Sequence, residues 1–274
     1  LSTRGLVRER LGDREAADRV ASGVVARHRR SLPFPDALFR RGLARAALGD
    51  TRSAQRDFRR LRRRLAGPAG RLASPRERAV LDLQLGACQA ALERPAAGTR
   101  LVLPALEVLE TIDPAEDPDV NWYLAQSHVV LGDILADGMQ RVSLDTDDGS
   151  LQRERLSRRL ELFQEARDHY QSTLRYDAPL WICAAGYKLG SLHETTRDAL
   201  LAAPSPSLLT DGQARLYRAE LERRTADYLS TAVGLYRETL RFASMAHVDN
   251  RWVELARERL DALELDPLID GQRL

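Results

Sequence analysis

Between Tyr217 and Ala243 the apolar positions fall at 217, 221, 228, 232, 236, 240 and 243, in steps of 4, 7, 4, 4, 4 and 3. Steps of three and four return to one side of a helix. The pattern predicts a single helix over about 211–245, ~50 Å long at 1.5 Å per residue. Thr210 and Gln213 read as its capping box, after a proline-marked loop from Ala203 to Thr210. Its second half copies an earlier helix. Ala166, Tyr170, Thr173, Leu174, Arg175 and Tyr176 match Ala232, Tyr236, Thr239, Leu240, Arg241 and Phe242. That earlier helix is expected over about 151–177, with Ala166, Tyr170, Thr173 and Leu174 as its packing edge. A last helix, Trp252 to about Leu263, would cover the open end. No stretch alternates with a period of two, so essentially no strand is predicted.

The chain also matches itself. Arg4, Gly5 and Leu6 recur as Arg41, Gly42 and Leu43; Leu11, Gly12 and Asp13 as Leu48, Gly49 and Asp50; Ala17 as Ala54, each 37 positions on. A constant offset across separate clusters marks two copies of one helical unit. Gly42 allows a second helix to pack closely. Leu48, Gly49 and Asp50 end the first helix, with glycine for a left-handed turn and aspartate for a cap. Ala54 permits a close crossing and Phe58, one turn on, fills it. Pro33, Pro35 and Pro68 bracket the pair, and Ala21 stands in the earlier copy where Phe58 stands in this one.

With these residues the unit resembles a tetratricopeptide repeat. The resemblance implies an all-α, right-handed solenoid of about five helix pairs, to which the periodicity adds the long penultimate helix and a C-terminal capping helix. Gly5 in that register predicts that about one turn of a first helix precedes Leu1, in a longer array. Later units are more degenerate. Leu85 and Gly86 sit on a first helix, with Ala105, Leu109 and Ile112 on its second and Pro104 near that helix's start. Asn121, Trp122, Tyr123 and Leu124 open the next unit after Pro118, and Leu131, Gly132 and Asp133 are expected to close its first helix. Pro179 and Trp181 open another first helix, carrying Leu189 and Gly190. The organisation is then repeats over 1–139, an acidic polar loop over 140–150, and degenerate repeats over 151–274.

Composition removes several function classes. Lys+Arg number 42 against 40 Asp+Glu, so no basic excess of the nucleic-acid-binding kind exists. Nearly every base is arginine, as the coding bias of a GC-rich genome produces, and Lys188 is the single lysine. The longest apolar runs fall short of the ~20 residues of a membrane helix. Cys88 and Cys183 read as small core residues.

Candidate chemistry does not assemble. His193 and Glu194 begin like a zinc-protease motif, but Arg197 stands where the second histidine belongs. His28, His128, His169 and His247 are scattered. The run Asp145, Asp147, Asp148 imitates a calcium loop, yet the glycine and glutamate that loop requires are Ser150 and Leu156. A solvated acidic loop with Ser150 capping the next helix fits better. No catalytic residue, metal or cofactor is assigned, and the chain reads as non-enzymatic.

Binding is expected in the concave groove lined by first helices, where the register puts Phe39, Leu43, Trp122 and Gln126. The occupant would be an extended segment or a helix of a protein partner. Trp181 and Trp252 are assigned to packing between units. Arg56, Arg59, Arg60 and Arg63 share a helix face opposite Phe58, Leu61 and Leu65. That face reads first as solvated surface, next as a patch for an acidic protein, and last as a nucleic-acid site, since no aromatic is interleaved. The acidic loop is a candidate for a basic partner. The long helix either folds back as a core helix, the favoured reading, or extends to pair with another chain.

From about Ala185 a narrower likeness enters. Leu189 to Glu194, Asp198 to Pro206, Tyr217 to Glu222, and Asn250, Arg251 and Trp252 resemble the tail of large tetratricopeptide proteins of bacterial adventurous gliding motility and related cell-envelope complexes. Arg251 departs from that tail, which more often carries an acid there. The likeness implies a non-catalytic scaffold in a larger periplasmic or envelope assembly, with a cytoplasmic location as the alternative and no membrane insertion. The rival functions are a sensor module of a transcription regulator binding a peptide or ligand, and an enzyme with an unrecognised site.

Overall fold

The structure is a computed structural model that describes residues 11–27, 33–67, 73–205 and 209–264. Among the described residues every regular element is a helix: α1 (Leu11–Arg27), α2 (Pro33–Ala47), α3 (Thr51–Leu65), α4 (Pro75–Ala91), α5 (Pro95–Glu110), α6 (Val120–Arg141), α7 (Gly149–Thr173), α8 (Pro179–Ala202), α9 (Asp211–Met245) and α10 (Arg251–Glu264). Two compact units, 1–130 and 131–274, divide the chain within α6. In the first, α1 packs on α2, α2 on α3, α3 on α4 and α4 on α5. In the second, α7 packs on α8, α8 on α9, and α10 on both α9 and α8. Helices therefore lie against their neighbours in sequence, as an all-α solenoid requires.

One device builds the crossings. Phe58 of α3 is fully buried over Gly42 of α2, where a β-carbon would collide with the ring. Tyr170 of α7 covers Gly132 of α6, and Tyr236 of α9 covers Gly190 of α8; a β-carbon at either glycine would come within 2.5 Å of the ring. One turn before each ring stands a fully buried alanine, Ala54, Ala166 or Ala232, which lets the backbones approach. Gly86 under Val102, with buried Gly98 a turn before, is a smaller version.

The ends follow from local chemistry. Gly49 takes a φ of +83°, and Asp50 accepts from the Ser53 N–H at 3.1 Å to start α3. Capping boxes of Ser74 with Glu77 and Thr210 with Gln213 start α4 and α9. Leu260 and Leu263 of α10 close over Leu229 and Tyr236, so the last helix covers that face of α9.

Several boundaries differ from the sequence reading. Leu131, Gly132 and Asp133 lie inside α6, because Gly132 occupies the crossing position of Gly42 and not the turn of Gly49. Leu11, Gly12 and Asp13 lie within α1, while Gly5, His28 and Pro68 fall outside the described residues. Pro104 sits well inside α5, whose N-terminal proline is Pro95; it withholds the N–H that the Arg100 carbonyl would accept. α7 ends at Thr173 and leaves Leu174 48% exposed, off the packing edge. Asp148, not Ser150, caps α7, accepting from the Ser150 and Leu151 N–H groups at 2.8 and 3.2 Å. The segment before it is held from α7: Arg159 donates to the Met139 and Val142 carbonyls at 2.9 and 2.8 Å, satisfying the end of α6. The two halves of the long helix α9 differ in burial. Its second half is core, with Ala232 and Tyr236 fully buried, but over 211–224 it is largely exposed, Leu216 at 73%.

Candidate functional site

The second unit contains a polar concavity between two helices. Asp133, Asp137 and Gln140 follow one another at three- and four-residue steps on α6, and Lys188, Ser191 and Thr195 do so on α8. Such steps put each set on one helix face. Together they line a cavity of about 210 Å³, with Tyr170 and Tyr187 also in its wall. The Lys188 ammonium lies 2.7 Å from the Asp133 carboxylate, and the Tyr170 O–H donates to the same carboxylate at 2.8 Å. Burial first, and then the Asp133 charge, hold the Tyr170 phenol well above its ordinary range, so it stays a proton donor.

An aromatic bracket fixes the lysine. Its ammonium stands 4.6 Å from the Trp252 ring centre, with the Arg251 guanidinium 4.8 Å from the same ring. Tyr187 lies 5.8 Å from Trp252 and 5.8 Å from Tyr236. Trp252 thus packs on Tyr187 and Lys188, tying α10 to the groove helix α8. The result is a polar channel with hydroxyls, an amide and carboxylates spaced a helical turn apart. That arrangement can hydrogen-bond the backbone of an extended segment or a row of side chains on a helix.

The first unit holds a more apolar cavity of about 290 Å³, bounded by Phe39, Leu61, Val80, Leu81 and Tyr123, with Asp36, Arg76 and Glu77 at polar positions. Arg76 is ion-paired with Asp117 and lies 5.4 Å over the Tyr123 ring.

The four groove residues read from the sequence have different surroundings. Phe39 is core: it is 3% exposed and packs 5.8 Å from Phe58, so it contributes only an edge to the apolar cavity. Gln126 is engaged by Gln84 of α4, the two amides exchanging hydrogen bonds of 2.8 and 3.2 Å. Leu43 and Trp122 are half-buried. The repeat register placed these positions on first helices but could not say which would meet a partner helix. Arg56, Arg59, Arg60 and Arg63 are all exposed, with Phe58 and Leu61 buried opposite. The groove of the second unit was missed, because Asp133 was read as a helix end. Its one visible signal was Lys188, the sole lysine in an arginine-rich chain.

The histidine, glutamate and cysteines singled out in the sequence are engaged in packing. His193 forms a cluster with the Phe163 and Tyr228 rings, 5.1 and 5.6 Å away, and its neighbour Glu194 is ion-paired with Arg259. Burial pushes the Cys88 thiol up to about 12 and that of Cys183 to about 11, leaving both unreactive. Among the described residues no three His, Cys, Asp or Glu side chains gather as metal ligands would, and no helix is long and apolar enough to cross a membrane.

No family model matches the chain, and no curated protein is similar enough to count as a relative. Among solved structures it is similar to BtubC (BKLC) from P. vanneervenii, at 14% identity and a TM-score of 0.39, over 88% of this chain and 92% of that one. A likeness at that level assigns neither fold nor function.

Proposed function

We propose that this chain is a non-catalytic scaffold of the tetratricopeptide type, a right-handed solenoid that holds a segment of a protein partner in the groove between α6 and α8. One observation carries the reading: two first helices present polar side chains at one-turn intervals to a shared cavity, with Lys188 fixed between Asp133 and Trp252. The repeat type is supported by spacing. Ala54 and Phe58 follow Gly42 by 12 and 16 residues, and Gly98 and Val102 follow Gly86 by the same intervals. The absence of an enzymatic role is supported by His193 and Glu194, which are used for packing and an internal ion pair. Membership in a bacterial envelope or motility-type assembly rests on the likeness of the C-terminal third alone.

The test is site-specific photo-crosslinking in native extract. A crosslinker at Ser191 or Gln140, inside the groove, should trap a protein adduct that a crosslinker at Glu238, exposed on the far side of α9, does not. Equal adducts from all three positions, or none from the groove pair, would overturn the proposal.

A further inference from the structure

We infer that the chain associates with a second copy of itself through two oppositely charged helix stripes, Arg52, Arg56, Arg59 and Arg63 on α3 and Glu254, Glu258 and Asp261 on α10. The first set recurs at steps of 4, 3 and 4, and the second at steps of 4 and 3. Both are therefore straight rows along a helix, ~16 Å and ~10 Å long at 1.5 Å per residue. All seven side chains are exposed. Phe58 and Leu61 lie buried behind the basic row, Ala256 and Leu260 behind the acidic one. None of the seven is ion-paired with another described residue, whereas the neighbouring Arg62 and Arg259 are, with Asp82 and Glu194. Arg56 donates to the Ser53 hydroxyl at 2.7 Å and faces the Asp50 charge, but neither row is closed by salt bridges as the adjacent charges are.

The pitch selects the occupant. Charges at steps of four and three repeat about every 5.4 Å, the rise of one helical turn. Same-face residues of an extended strand repeat at about 6.7 Å and drift out of step with them. A helix bearing acids in the same steps stays in register, and α10 of this chain is such a helix. Arg257 borders the acidic row and confines it to a single line. Nucleic acid fits less well, since Phe58, the aromatic of α3, is buried and offers no surface for base stacking. Each contact joins a basic row on one copy to an acidic row on the other, either reciprocally within a closed pair or in an open succession of copies. Exposed ion pairs are individually weak and screened by salt. Association should then require low ionic strength and rise with concentration.

Sedimentation velocity on nuclease-treated full chain tests this, with circular dichroism to confirm folding of every variant. At about 20 mM salt the wild type should grow in mass with concentration, and at about 1 M, where the screening length is ~3 Å, it should return to monomer. Arg52→Glu/Arg56→Glu/Arg59→Glu/Arg63→Glu and Glu254→Arg/Glu258→Arg/Asp261→Arg should each stay monomeric alone. Mixed together they should assemble, because each then supplies the charge the other lacks, and the chain carrying all seven changes should assemble by itself. A monomeric wild type at low salt overturns the inference, and so does either reversed variant that still self-associates. Failure of the mixture to assemble overturns it too. Wild-type association that vanishes on nuclease treatment assigns the basic row to nucleic acid instead.

Discussion

The two units use one crossing device at different helix lengths. In the first, Gly42 and Phe58 belong to a hairpin of two 15-residue helices, α2 and α3. In the second, Gly190 and Tyr236 join a 24-residue helix to a 35-residue one, and 46 residues separate glycine from ring instead of 16. The glycine, the ring and the alanine a turn before it persist while everything between them changes. Helix-pair geometry is therefore set at the crossing and not by the connection, since closing a longer loop adds little entropy cost. The rings differ in one respect. Phe58 is wholly apolar, whereas Tyr170 carries its hydroxyl to Asp133 at the edge of the polar cavity.

If the crossing is the shared unit of stability, the largest losses come from the rings. Phe58→Ala and Tyr236→Ala should each cost about 3–5 kcal/mol in denaturant titration, the range for emptying an aromatic site. A much smaller loss at Tyr236 would mean that the longer helices have other anchors. Next, Gly42→Ala and Gly190→Ala should each cost about 1–3 kcal/mol through overpacking. An unchanged midpoint at either would show that the ring can retreat.

A sharper probe separates the units by polarity. Tyr170→Phe should cost about 1.5–3 kcal/mol, the range for a hydrogen bond to a charged group, and should loosen Asp133 from the groove wall. Replacing the cap, Thr210→Ala, should cost about 1 kcal/mol or less, with faster amide exchange over the exposed start of α9 and no change around Tyr236. Glu220, held down to about 2 by hydrogen bonds from Arg223 and Arg224, leaves the local i,i+3 and i,i+4 pairs to support that segment.

The smallest effect is a pH slope in the second unit. Burial lowers the His193 imidazole, helped by Arg167, and burial lowers His169 against Glu165 and Asp168. Both groups bind a proton less readily folded than unfolded, where the ordinary value is 6.5. Stability from this source is full above that value and is lost as pH falls toward the folded values, because the unfolded chain takes up the extra protons. His193→Phe should flatten the slope in thermal melts between about pH 7 and 5; an unaltered slope would assign it elsewhere.

Much of the fold was legible because glycine, alanine and aromatic positions report backbone proximity directly. Gly42 with Phe58, the Thr210 capping box and the run of α9 to Met245 are all local or periodic signals. What stayed hidden depended on distant pairing. Leu131, Gly132 and Asp133 share residue types with Leu48, Gly49 and Asp50, and only the arrival of Tyr170, 38 residues on, tells a crossing from a turn. Phe39, which is buried, and Gln126, which pairs with Gln84, turn on a related ambiguity. A first-helix face meets either a neighbour or an open channel, and periodicity cannot choose between them. The groove depended on Asp133 meeting Lys188 across 55 residues, a pairing that no local pattern encodes.

Lys188 gives the channel a chemical address. Its ε-amine is the one lysine amine in this sequence, 17% exposed and held against Asp133. Acylating reagents that spare guanidinium groups would therefore mark this wall selectively, apart from the chain's own α-amine. The rate of that marking would follow occupancy of the channel directly, and a lysine-specific protease would cut the polypeptide at that one point.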